Sequence, residues 1–216
     1  MRPHDVKGRI VRRAAKANVF VADPLAESLA SYYELLTRWN KKINLTSIEN
    51  LDEAIDRLLL EPLVASRYVS PTAGSLMDVG SGGGSPAIPL KLAIPRLRLT
   101  MVEAKARKSA FLREAVRHLA LENATVETAR YEELLARPDL HEACDIVSLR
   151  AVRIEARVLF SLQAFLAPSG NVMLFRGPEG PPVPTSLVPP LEWSATHQLV
   201  DSLQSRLTLL TKRRIG

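Results

Sequence analysis

The sequence predicts a doubly wound, mainly parallel α/β sheet with an N-terminal helical extension. From residue 75 onward short apolar runs alternate with amphipathic helical stretches, the pattern of parallel strands joined by right-handed crossovers. The first run ends in Asp78-Val79 and breaks at once into a cluster containing Gly80, Gly82 and Gly84, which strips every second side chain from the loop. Before about residue 70 the apolar residues recur at helical rather than strand spacing. We therefore divide the chain into a helical extension, residues 1–70, and a sheet domain, residues 71–216.

The 216 residues, 46% hydrophobic and 24% charged, have the composition of an ordinary globular protein. Lys and Arg number 29 against 23 Asp and Glu, a net charge of +6, which favours a polyanionic partner, nucleic acid first. Cys144 is the sole cysteine, so no intrachain disulfide forms, and no apolar run is long enough to span a membrane. A cytoplasmic protein with no membrane contact is expected. The basic N-terminus, MRPHDVKGRIVRRAAK, lacks the apolar segment of a secretory signal and reads as a frayed tail.

Asp23 and Pro24 form an N-cap and first-turn pair for a helix whose apolar face is Leu25, Leu29, Tyr32, Leu36 and Trp39. It ends in a polar, basic loop beginning at Asn40, where Asn44 and Thr46 offer groups for phosphate or base edges. A second helix starts near Asp52 and carries Arg57 until Pro62 breaks or kinks it. The strands are expected at 75–79, 97–103, 124–128, 145–149 and 171–175, with a helix rich in Lys105, Arg107, Lys108 and Arg113 after the second and another over 154–166. A proline-rich irregular loop runs to Pro190, and strands near 192–200 and 206–211 close the sheet as a hairpin at its edge.

In an open α/β sheet the ligand sits beyond the carboxyl ends of the strands, so the residues just after each strand are the candidates. Asp78 precedes the first glycine, and Glu103 closes the second strand 21 residues beyond Gly82, the spacing of a ribose-binding carboxylate. No Lys with a hydroxyl follows Gly84, which excludes a P-loop, and Ser85 stands where a dinucleotide site keeps its third glycine. An acid ahead of the glycines suits a cationic, phosphate-free ligand, and S-adenosyl-L-methionine fits that description. Tyr131 and Glu132 follow the third strand, where a ring and a carboxylate can hold adenine, although a plain helix start reads equally well. Arg150, just after an apolar strand, points a guanidinium at the cleft rim, and its removal is expected to leave melting almost unchanged.

Other chemistries drop out. Ser148-Leu149-Arg150-Ala151 replaces the [DN]PP[YF] tetrad of amino-directed methyltransferases, Cys144 reads as a small buried hydrophobe, and the four histidines show no metal spacing.

Trp39-Asn40-Lys41 with Asn44-Leu45-Thr46, then DVGSGGGSPAIPL, RKSAFLREA, ARYEEL and SLRAV, in that order over residues 32–177, resemble one family: the bacterial 16S ribosomal RNA guanine-N7 methyltransferases, also called glucose-inhibited division protein B. The resemblance implies a Rossmann-like class I S-adenosylmethionine methyltransferase fold and methylation of a guanine ring nitrogen 7 in 16S rRNA or the small ribosomal subunit. It implies cofactor contacts at Gly80, Ser85, Tyr131, Glu132 and Arg150, with Glu103 on the ribose. Leu58, Glu61 and Arg176 stand where the family usually has histidine, aspartate and lysine, and Ser85 replaces a bulkier apolar residue.

Ring nitrogen 7 carries an in-plane lone pair, so the reaction needs no general base. Arg150 is the expected catalytic residue, Asp78 and Gly82 join the cofactor set, and Asn44, Thr46, Arg57, Lys105, Arg107, Lys108 and Arg176 are the expected RNA contacts. A monomer without metal is expected. Two other readings stay open: a non-catalytic RNA-binding assembly factor on the same fold, and a small-molecule methyltransferase.

Overall fold

In the computed structural model, residues 3–150, 155–178 and 189–213 are described. Strands β1 (Ser75–Val79), β2 (Arg98–Val102), β3 (Ala124–Glu127), β4 (Cys144–Arg150), β5 (Leu166–Arg176), β6 (Leu191–Gln198) and β7 (Arg206–Lys212) form one sheet in the order β3-β2-β1-β4-β5-β7-β6. The first five are mutually parallel, and β7 runs antiparallel between β5 and β6. All five residues of β1 are buried, Ser75 and Asp78 included, and Leu76, Met77 and Val79 make it read as a mainly apolar run.

Successive strand residues serve opposite faces. Leu76, Ile146, Met173 and Leu209 join the core under the N-terminal helices, while Met77, Val147, Leu174 and Leu210 join a second core that includes Leu159, Leu162 and Phe165. The first core begins at Val6 and takes in the helices α1 (Pro3–Lys16), α2 (Asp23–Ile43), α3 (Leu51–Ile55), α4 (Glu61–Ala65), α5 (Ala87–Ala93) and α6 (Ala106–His118). Short helices α7 (Tyr131–Leu134) and α8 (Ala156–Leu162) follow β3 and β4.

Several expectations are corrected. The supposed frayed tail is α1, which buries Val6, Ile10 and Ala14 at four-residue spacing. Its basic residues are partly consumed in ion pairs: Arg9 with Asp52 at 2.5 Å, and Arg13 with Asp52 at 2.9 Å and with buried Asp56 at 2.5 Å. Asp23 does not cap α2. Lys7 of α1 takes its carboxylate at 2.8 Å, and the residue before the helix is Ala22. α2 also runs on to Ile43, leaving Asn40 within it. The helix 154–166 is shorter than expected, residues 151–154 lying outside the described ones, and gives way to a 3-10 turn, Gln163–Phe165. β5 starts early because Leu166 already pairs with Cys144 across a register shift, so the Pro168-Ser169-Gly170 turn falls inside the strand. The proline-rich loop is mostly outside the described residues.

Of the break or kink expected at Pro62, the structure shows a distortion: the helix continues through one wide π turn, Asp56–Leu60. The Glu61 N–H bonds back to the Asp56 carbonyl, which shifts the ladder by one residue. Pro62, having no N–H, then leaves carbonyls of the preceding turn without helical partners. Two of these, from Arg57 and Leu58, are picked up by a side chain from β4 and one from the glycine loop, and that is how the site is assembled.

Candidate functional site

Beyond the carboxyl ends of β1, β4 and β5 lies a cavity of about 1050 Å³, walled by the glycine loop, the π turn and the segment after α2. The loop is built by backbone. Gly80, Gly82 and Gly84 have φ of 75°, 50° and 85°, the left-handed region in which side chains are strained. At Gly84 there is also no room, since a Cβ would stand 2.5 Å from Ile88 Cδ1. The loop is anchored from outside: the Gly82 N–H donates to Glu103 Oε2 at 2.9 Å, and the Tyr32 hydroxyl donates to the Gly83 carbonyl at 2.5 Å.

Asn40 organises the opposite wall. Its Oδ1 accepts from the Leu45 and Thr46 amides at 2.6 and 2.9 Å, and its Nδ2 donates to the Thr46 carbonyl at 2.9 Å. Asn44 and Thr46 are thereby held against the cavity. Asn40, expected as the first residue of the loop, is instead helical and positions the loop residues that follow.

At the floor, Arg150 Nη1 donates to the Arg57 carbonyl at 2.8 Å and pairs with Glu61 Oε2 at 2.7 Å, while its guanidinium lies 4.8 Å from the centre of the Phe175 ring. Ser85 Oγ donates to the Leu58 carbonyl at 2.8 Å. The side chains of Arg150 and Glu61 are only 16% and 3% exposed. Arg150 is therefore not an arginine at an open rim but half of a buried ion pair, because the carbonyl freed by the π turn and the Glu61 carboxylate draw it inward. Arg150 Nε and Nη2 and Glu61 Oε1 are buried with no partner among the described residues.

The remaining expected residues divide by position. Gly80, Gly82, Ser85, Arg57, Lys108, Arg150 and Arg176 border the cavity with Asn44 and Thr46. Burial, with Arg206 nearby, lowers the Arg176 pKa. Asp78 does not border the cavity. It is 1% exposed beneath the loop, accepts from Ser148 Oγ at 2.6 Å, and burial raises its pKa. Glu103 sits at the loop's edge with Oε1 and Oε2 on the Lys105 and Gly82 amides. Lys105 and Arg107 are exposed at the start of α6, away from the wall that Lys108 joins. Tyr131 and Glu132 open α7 after β3, and the sheet order puts that edge strand two positions from β1, so neither reaches this cavity. Cys144 lies at the other end of β4, its thiol pushed up to about 11 by burial.

Residues 25–180 match a family model described as rRNA small subunit methyltransferase G, GidB. The chain is 39% identical over 168 residues, 76% of each chain, to the ribosomal RNA small subunit methyltransferase G of Xanthomonas campestris pv. campestris. It is 39% identical over 153 residues to that of Stenotrophomonas maltophilia, covering 71% of this chain and 69% of the relative. A SAM-dependent methyltransferase from Aquifex aeolicus superposes with a TM-score of 0.55 at 16% identity, over 79% of this chain and 98% of that one, a likeness of fold.

Proposed function

Since the chain belongs to the rRNA small subunit methyltransferase G family, we propose that it methylates ring nitrogen 7 of a guanine in 16S rRNA, using S-adenosylmethionine. One observation supports this most directly: a glycine loop in the left-handed region and a buried arginine with unused donors face the same cavity, whose other walls carry Lys108, Arg57 and Arg176. Radiolabelled methyl transfer to RNA from a strain lacking the protein, followed by nucleoside analysis, tests it; 7-methylguanosine is the expected product.

The residues present fit the cofactor. Arg150 Nε and Nη2, fully buried and without partners among the described residues, match a carboxylate such as that of the methionyl end. At Gly82 an added Cβ would meet only the Gly80 carbonyl at 3.7 Å and Lys108 Nζ at 4.0 Å, so the loop is open to a closely approaching ligand on that side. Glu103, with two of its roughly four lone-pair sites on backbone amides, retains acceptors for ribose hydroxyls. When bound, the cofactor supplies an electrophilic methyl group on a cationic sulfur. The protein's part is orientation: Arg150 and the loop fix one reactant, while Asn44, Thr46, Arg57, Lys108 and Arg176 hold the RNA. No residue needs to remove a proton. The same reading carries a monomer acting in the cytoplasm on 16S rRNA or the small subunit, without metal, the helical extension of residues 1–70 supplying the wall nearest the RNA.

Two results are expected. Calorimetry will show binding of S-adenosylmethionine and of its demethylated product but none of NAD, and the reverse outcome would overturn the cofactor assignment. RNA affinity will fall steeply with salt, with a log–log slope of about −0.7 for each phosphate neutralised in a single strand, while cofactor affinity changes far less. Lys108→Glu will make that slope shallower and leave the melting temperature near wild type. A flat salt response would favour a small-molecule substrate.

A further inference from the structure

Glu61 has a chemistry that cofactor binding does not use. Among the described residues, two carboxylates border the cavity, Glu53 and Glu61. Glu53 is 44% exposed and paired with Arg57, whereas Glu61 is 3% exposed, gives Oε2 to Arg150, and leaves Oε1 buried with no partner among the described residues. A buried carboxylate oxygen left without a donor is costly, and persists where something outside the protein completes it. Oε2 already accepts from the Arg150 guanidinium at 2.7 Å, and Oε1 is a carboxylate oxygen with lone pairs unused, so the missing partner is a hydrogen-bond donor.

We propose that Glu61 Oε1 accepts the N1–H and 2-amino donors of the target guanine, making Glu61 the residue that selects this base and stabilises its charge as it is methylated; this rests on the methyltransferase reading above. Guanine is the RNA base that presents an N–H and an amino donor side by side on its pairing edge, the match for a carboxylate. Ring nitrogen 7 lies on the opposite edge, so a base held this way presents that nitrogen away from Glu61. In the transfer the N7 lone pair forms the new N–C bond, the C–S electron pair leaves with sulfur, and no proton departs. Positive charge thus passes to the purine, where N1–H becomes more acidic. A carboxylate accepting from N1–H gains strength as that charge develops, which is transition-state stabilisation rather than ground-state binding.

The test is Glu61→Gln, which keeps the size and the bond to Arg150 but removes the charge. Turnover on RNA should fall about ten- to hundredfold, the effect of one charge-assisted hydrogen bond, with S-adenosylmethionine affinity near wild type and a lowered melting temperature, because the buried Arg150 loses its counter-charge. Glu61→Asp should recover a larger share of turnover than Glu61→Gln. A short RNA with inosine at the mapped guanine, lacking the 2-amino group, should be a poorer substrate for wild type and no poorer than guanine for Glu61→Gln. Unchanged turnover in Glu61→Gln, or equal loss with inosine in both proteins, would overturn the proposal. So would weakened cofactor binding with normal turnover at saturation, which would assign Oε1 to the methionyl amino group. If Glu61→Gln does not fold, the inosine comparison between wild type and Glu61→Asp decides, and indifference of wild type to inosine is the overturning result. A wild-type protein that neither binds S-adenosylmethionine nor methylates RNA would instead remove the function proposed above.

Discussion

Arg150→Ala is expected to abolish most methyl transfer and to lower stability by about 3–5 kcal/mol, because it leaves the Glu61 carboxylate buried without its cation. For a chain of this size that is a fall in melting temperature of roughly 6–20 °C. The pair itself is a different matter from its broken half. Replacing both members by apolar residues, Arg150→Met with Glu61→Leu, removes the uncompensated charge and should return most of the stability while leaving the protein inactive. Thermal unfolding of the single and double variants, with initial methylation rates, makes the comparison. An alanine variant that melts with wild type would mean that the buried pair carries no weight, against the geometry of the floor.

The second large effect is at the glycine loop. Gly84→Ala places a side chain at a φ of 85°, which costs about 1–2 kcal/mol. It also drives a methyl to 2.5 Å from Ile88 Cδ1, overpacking that typically costs a further 1–3 kcal/mol. The loop must shift, and S-adenosylmethionine affinity should drop at least about tenfold. Gly82→Ala, at a φ of 50° with open space around the new methyl, should cost only about 1–2 kcal/mol of folding stability, and any loss of cofactor affinity comes from the methyl standing where the ligand approaches rather than from a shifted loop. Calorimetric titration and unfolding of the two variants separate these outcomes, and equal behaviour would mean that the Ile88 contact has no weight.

The sheet was legible because parallel strands covered on both faces appear as mainly apolar runs, with Leu76, Met77 and Val79 in Ser75–Val79 and Ile146, Val147 and Leu149 in Cys144–Arg150. The glycine loop was legible because positive φ leaves few residue choices. α1 was misread because its charges dominate its composition, although Val6, Ile10 and Ala14 mark a buried face. The π turn was not readable: Pro62 announces a break, but which way the ladder shifts depends on Arg150 and Ser85, contributed from 89 and 27 residues away. Glu61 could not be paired with Arg150 for the same reason. Tyr131 and Glu132 were chosen by their place after a strand, a rule that ignores where that strand lies in the sheet, and β3 is at the edge.

Asp56, the first residue of the π turn, is held from both sides of the sequence: by Arg13, 43 residues before it, and by the hydroxyl of Ser202, 146 residues after it, at 3.1 Å. During translation these arrive at very different times. The ion pair with Arg13 is available as soon as the N-terminal helices leave the ribosome, whereas Ser202 lies in the connection between β6 and β7 and emerges after every parallel strand. A nascent chain thus carries the turn that lines the cavity through most of its synthesis with one contact missing, and the hairpin that closes the sheet edge also supplies the last bond behind the cavity floor.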